Sequence, residues 1–124
     1  MSWSVDLLII TDKPLQVVAE DIGHFLSLPI EKMEDDEEIY SLWQLEANLI
    51  VSRNDLVNDG DLNLESYDIL VTIWSTKLPD WEASEEECKK VGVRLFEMFR
   101  DTYGTGLLLA EQAQTRLLTF DPAL

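Results

Sequence analysis

His24 and Cys88 are the sole histidine and cysteine of this 124-residue chain, so they are the first places to look for chemistry. A histidine serves as a general base when a proton donor stands within hydrogen-bond reach. No serine, threonine or cysteine lies at a diagnostic spacing from His24, and its place beside Phe25, near the end of a helical stripe, suits a partly exposed or core-edge residue. Cys88 falls in the first turn of a second helical stripe. The helix dipole there lowers a thiol pKa, while Glu85, Glu86 and Glu87 raise it; the balance favours a spectator thiol. One cysteine and one histidine cannot build a zinc site unaided, and a single cysteine forms no intrachain disulfide.

Oxygen-rich stretches do no better as metal or phosphate sites. Asn54 to Asp61 has the look of a calcium loop. With Gly60 as the sixth residue, however, Val57 falls third and Ser66 twelfth, where oxygen ligands and finally a glutamate are required. After the first apolar run, Thr11-Asp12-Lys13-Pro14 offers no glycine loop for phosphate. Twenty-five acids produce many accidental carboxylate pairs, so no pair can be singled out for glycosidic chemistry. No catalytic set, cofactor or metal is expected, and an enzyme is disfavoured by the absence of parts.

Charge is the more informative property. The 25 acids face nine bases, for a formal net charge of −16. Such a field repels nucleic-acid backbones and anionic lipid and attracts basic proteins, although an acidic surface also serves plain solubility. Two regions concentrate it. Glu31 to Glu38 holds six acids and one base, with Glu34, Asp35, Asp36 and Glu37 at its centre, and reads as a surface connection that steers a basic partner. Asp80-Trp81-Glu82, followed by Glu85, Glu86 and Glu87, sets an aromatic side chain among five acids. That is the composition of an interface anchor facing a basic surface, and Asp80, Trp81, Glu82, Glu85 and Glu86 are the sharper contact candidates. Trp81 packing as a lid over the helix start is the competing reading. Trp43 and Trp74 lie in strand-like runs and are expected in the core.

The elements that would carry these residues are legible from periodicity. Val5 to Thr11 is a short branched-apolar run suited to a strand covered on both faces. Asp12 offers an N-cap and Pro14 a first-turn residue for a helix whose stripe is Leu15, Val18, Ile22, Phe25 and Leu26; Pro29 ends it. Ile39–Glu46, Leu49–Ser52 and Tyr67–Trp74 read as three strands, joined by connections too short for crossover helices and hence an antiparallel meander. Leu78 to Trp81 reads as a loop, and Ser84 with Glu87 as a capping box. The helix behind it carries Val91, Leu95, Met98 and Phe99, with Gly104 as C-cap. Leu107–Ala110 reads as a buried strand, Glu111 to Leu118 as a further helical turn or two.

That order is accommodated most simply by an α+β two-layer sandwich: one domain over 1–124, an antiparallel or mixed sheet of about five strands, and two main helices on one face. A ferredoxin-like variant with an additional strand is one topology that fits. The apolar run Val5–Ile10 is far too short to span a bilayer and no basic segment precedes it, so a cytoplasmic location is expected.

The C-terminal third, with the helix Glu87–Arg100, then Tyr103-Gly104-Thr105-Gly106-Leu107-Leu108-Leu109, then Gln112 to Phe120, resembles the immunity proteins of bacterial toxin systems, including those of contact-dependent inhibition. That resemblance implies a non-catalytic protein that binds a cognate toxin domain, commonly basic, and blocks it. Other classes remain open from the residues. One is a small ligand-binding protein or hydrolase with a pocket between sheet and helices; another is a DNA-mimicking inhibitor, which would need its acids arrayed along one exposed face.

Overall fold

A computed structural model describes residues 4–32, 40–43, 48–54, 56, 63–74, 81–112 and 115–122, with the backbone alone at 40–43 and 81–84. The elements are β1 (Ser4–Ile9), α1 (Leu15–Leu26), β2 (Ile30–Lys32), β3 (Tyr40–Trp43), β4 (Asn48–Arg53), β5 (Ile69–Trp74), α2 (Trp81–Thr102), β6 (Leu107–Glu111) and β7 (Thr115–Phe120). All seven strands form one sheet in the order β2-β3-β4-β5-β1-β6-β7, and every neighbouring pair is antiparallel. With β2, β3 and β7 set aside, the remaining β-α-β-β-α-β order and the β4-β5-β1-β6 arrangement are those of the ferredoxin-like fold. The α+β sandwich holds, with seven strands where about five were expected.

Both helices lie on one face. The main core joins Leu15, Val18, Ala19 and Ile22 of α1 and Val91, Leu95, Phe96 and Phe99 of α2 to alternate strand residues such as Val5, Leu7, Ile9, Leu49, Val51, Val71, Ile73 and Leu109. The period of two sends the intervening residues to the other face. There Leu8, Leu70, Leu108 and Ala110 form a second apolar cluster with Leu64, and Leu56 and Tyr67 pack against it. β1 is thus covered on both sides, as its apolar run Leu7–Ile9 requires.

Several boundaries depart from the sequence reading. α1 begins at Leu15 with Pro14 in the cap position and no side-chain cap; Asp12 does not cap it, and Thr11 Oγ1 instead accepts a bond from the Lys13 amide at 3.1 Å. α1 stops at Leu26, with Ser27 in the left-handed region at φ 56° and the Leu28 amide donating to the Gly23 carbonyl. Trp81 opens α2 and is not part of a loop; Ser84 and Glu87 are therefore inside the helix and do not cap it. Gly104 takes φ +64° and its amide donates to the Phe99 carbonyl at 3.2 Å, the expected helix stop. Residues 111, 112 and 115–118, expected in a helical turn, are not helical. The consecutive Leu117 and Leu118, which break strand alternation and suggest helix, belong to β7, where a register shift opposite Leu109 and Ala110 marks a β-bulge.

One close approach fixes how α2 sits on the sheet. A Cβ on Gly92 would stand 3.0 Å from both a Leu109 and a Val5 methyl, so this position admits nothing larger than hydrogen without displacement.

Candidate functional site

The described acidic residues of the two regions fall on β2 and α2. Glu31 and Lys32 form β2 itself and are exposed, rather than lying in a connection. Glu34, Asp35, Asp36 and Glu37 fall outside the described residues, between β2 and β3. Lys32 pairs with Tyr40, which is level with Val51 and Val71, and the chain leaves β2 heading away from the Trp74 end of the sheet. α2 begins beyond Trp74, at the other end. Asp80 lies outside the described residues, and Trp81 and Glu82 are placed by backbone alone in the first turn of α2. Glu85 lies one turn on and pairs with Lys89 at 3.1 Å, so its charge is partly neutralised within the helix; Glu86 is exposed. Trp74 sits half-buried on the helix-free face, not in the main core, and the side chain of Trp43 lies outside the described set.

Cys88 is fully buried; burial first, and the Glu87 charge second, push its thiol up to about 11, which suppresses the nucleophilic thiolate. His24 is exposed. Asn54, at the start of the calcium-like stretch, spends its side chain on the fold. Its Nδ2 donates to the Leu64 and Tyr67 carbonyls at 2.6 and 2.9 Å, and its Oδ1 accepts from the Leu56 amide at 3.0 Å. Residues 57–62 lie outside the described set. No group of three His, Cys, Asp or Glu side chains that could hold a metal occurs among the described residues, and no helix among them is long and apolar enough to cross a membrane.

The feature that residue types alone did not reveal is a cleft of about 610 Å³ at the lower end of the helix-free face. It is not the pocket between sheet and helices that a ligand-binding reading anticipates. Leu108 and Gly106 line it from β6 and the turn before it, Ile10 from the end of β1, and Asn63, Ser66 and Tyr67 from the segment stapled by Asn54. Arg116 and Thr119 of β7 and the following Phe120-Asp121-Pro122 complete it. Tyr67 is half-buried, and burial raises its hydroxyl pKa, with the Arg116 charge lowering it and the Asp121 charge raising it. The phenol thus stands within the field of one cation and one carboxylate. Thr105 Oγ1, in the same lining, is buried with no hydrogen-bond partner. No spacing in the sequence could have joined residues 10, 67, 105 and 116; only the sheet order does so.

A second depression lies between the helices, lined by Lys13, Asp21, His24, Phe25, Met98, Thr102 and Tyr103. Its polar groups satisfy one another: Tyr103 bonds Asp21, and Lys13 Nζ stands 4.0 Å above the Tyr103 ring. Comparison with protein-family models, curated proteins and solved structures returns no match.

Proposed function

We propose that the chain is a non-catalytic acidic protein of the bacterial cytoplasm that binds a basic protein, as an immunity protein binds and blocks its cognate toxin domain. The observation that supports this reading is the polarity of the charge. Sixteen of the 25 acids but three of the nine bases precede residue 77, in the part of the chain that carries β1 to β5 and α1. The C-terminal part, which forms α2, β6 and β7, holds nine acids and six bases. A field so lopsided orients a basic partner during approach and raises its association rate. The buried, neutral thiol of Cys88 and the committed side chain of Asn54 agree with a role that needs no nucleophile.

Co-expression with the product of the neighbouring reading frame, followed by affinity purification at low and high salt, tests the proposal. A stoichiometric complex at low salt that associates more slowly as salt rises is the expected result. If the two chains fail to associate at low salt, the toxin-blocking reading is lost.

A further inference from the structure

We propose that the cleft beneath β7 is a binding site for a small monocarboxylate with an apolar body, independent of the acidic surface. Its size falls within the roughly 300–1,000 Å³ typical of small-molecule sites. Its construction has the usual division of labour. Ile10, Leu108 and Phe120 supply apolar walls, and Tyr67 and Arg116 supply the polar groups.

The β-bulge is what makes the site. Residues 116 and 118 of a regular strand share a face. Here Leu118 lies opposite Leu109, and Arg116 lies opposite Ala110. Leu109 belongs to the helix-side core and Ala110 to the opposite cluster. The extra residue, Leu117, packs against the helix-side core, so Arg116 is carried to the helix-free face and into the cleft, while Leu118, level with Leu109, is exposed. Bulges at sheet edges commonly re-aim a side chain toward a functional site.

The charge of the ligand follows from what surrounds the arginine. A planar guanidinium grips a carboxylate through two parallel bonds, and the Tyr67 hydroxyl can donate a third. Asp121 lines the same cleft, and the whole chain carries −16, so one arginine can hold a single negative charge and not a phosphate dianion.

The test is titration of the full-length, ¹⁵N-labelled chain with 2-naphthoate, 2-naphthamide and 2-naphthyl phosphate, followed by amide chemical shifts. Naphthoate is expected to give saturable shifts confined to the amides around Tyr67, Gly104–Gly106 and Arg116–Phe120. The neutral amide and Arg116→Met should each bind about tenfold more weakly, the loss of one charge-assisted contact. Arg116→Lys, which keeps the charge but not the fork, should lie between, and decides the matter if the methionine variant fails to fold. The proposal is overturned if naphthoate gives no saturable shift, if the amide or either arginine variant binds as well as naphthoate binds the parent, or if the phosphate binds more tightly than the carboxylate.

Discussion

The Tyr103 hydroxyl donates to Asp21 Oδ2 at 2.5 Å, tying the residue after α2 to the middle of α1. The Tyr103 ring also meets Phe99 edge-on, with centroids 4.7 Å apart and planes at 82°. Together these contacts lock the C-terminal end of α2 across α1. Tyr103→Phe keeps the ring contact and removes the bond. Hydrogen bonds to charged groups contribute about 1.5–3 kcal/mol when well shielded. Both partners here are half-exposed, so a loss near the lower end of that range is expected in urea unfolding. An unchanged midpoint would show that the bond contributes nothing.

The same tyrosine gives stability an alkaline limb. Burial first, and then the bond to and charge of Asp21, hold its hydroxyl above the ordinary value of 10.0. Cys88 is likewise raised from 9.0 to about 11. In both cases the unfolded chain releases its proton at a lower pH than the folded one. Stability is therefore fully present below about pH 9 and falls as pH rises through the raised values. Cys88→Ala should soften the decline that starts near pH 9, and Tyr103→Phe the part above pH 10. Parallel stability curves for parent and variants between pH 8 and 11 would contradict this.

Cys88 should also resist thiol reagents in the native state. It is fully buried and its thiolate is suppressed, so labelling by a disulfide reagent at pH 8 is expected to follow transient opening. Rapid labelling under native conditions, at a rate typical of a free thiol, would place Cys88 at a reactive surface.

The helix–sheet seam can be probed from both sides. Leu95 and Phe99 are fully buried, and truncation of either to alanine should cost about 2–5 kcal/mol. At Gly92 the opposite insult applies: valine would press branched carbon into the Leu109 and Val5 methyls, with an expected loss of about 1–3 kcal/mol from overpacking. Equilibrium unfolding reads each value. Near-zero changes at Leu95 and Phe99 would overturn the seam, and a stabilising Gly92→Val would mean that α2 can lift off the sheet without penalty.

Reversing the charges of Glu34, Asp35, Asp36 and Glu37 should slow association with a basic partner while leaving the melting temperature nearly unchanged, since exposed charge governs approach more than fold. Association kinetics by surface-immobilised partner, repeated at two salt concentrations, would reveal it. A rate insensitive to both reversal and salt removes this block from the interaction.

Much of the architecture was legible in local pattern. The Leu15–Ile22 and Val91–Phe99 stripes, the branched-apolar run of β1 and the glycine stop at Gly104 all declare themselves over a few residues, because period and backbone conformation are local properties. What escaped was decided elsewhere in the chain. Leu117-Leu118 imitates a helical pattern because a bulge makes two adjacent residues oppose one partner residue, and nothing within β7 announces that. Ser84 with Glu87 satisfies the capping pattern, yet the helix starts three residues earlier. β2 is only three residues long and gains its identity from pairing with β3. The cleft was the least readable feature, since its walls come from residue 10, the 63–67 segment, the 104–108 turn and β7.

The central position of β1 also has a consequence for how the chain reaches its native state. β1 is flanked by β5 and by β6, with Val5 opposite Ile73 on one side and Glu111, 106 positions away, on the other. Closing such long loops carries an entropic cost before any contact rewards it, and folding slows as contacting residues lie farther apart in sequence. β1 must therefore leave one edge unpaired until residues 107–111 are in place. A β-hairpin of β4 and β5, local and without need of either terminus, is the natural surface for β1 to meet first; β6 then arrives last to shield its second edge.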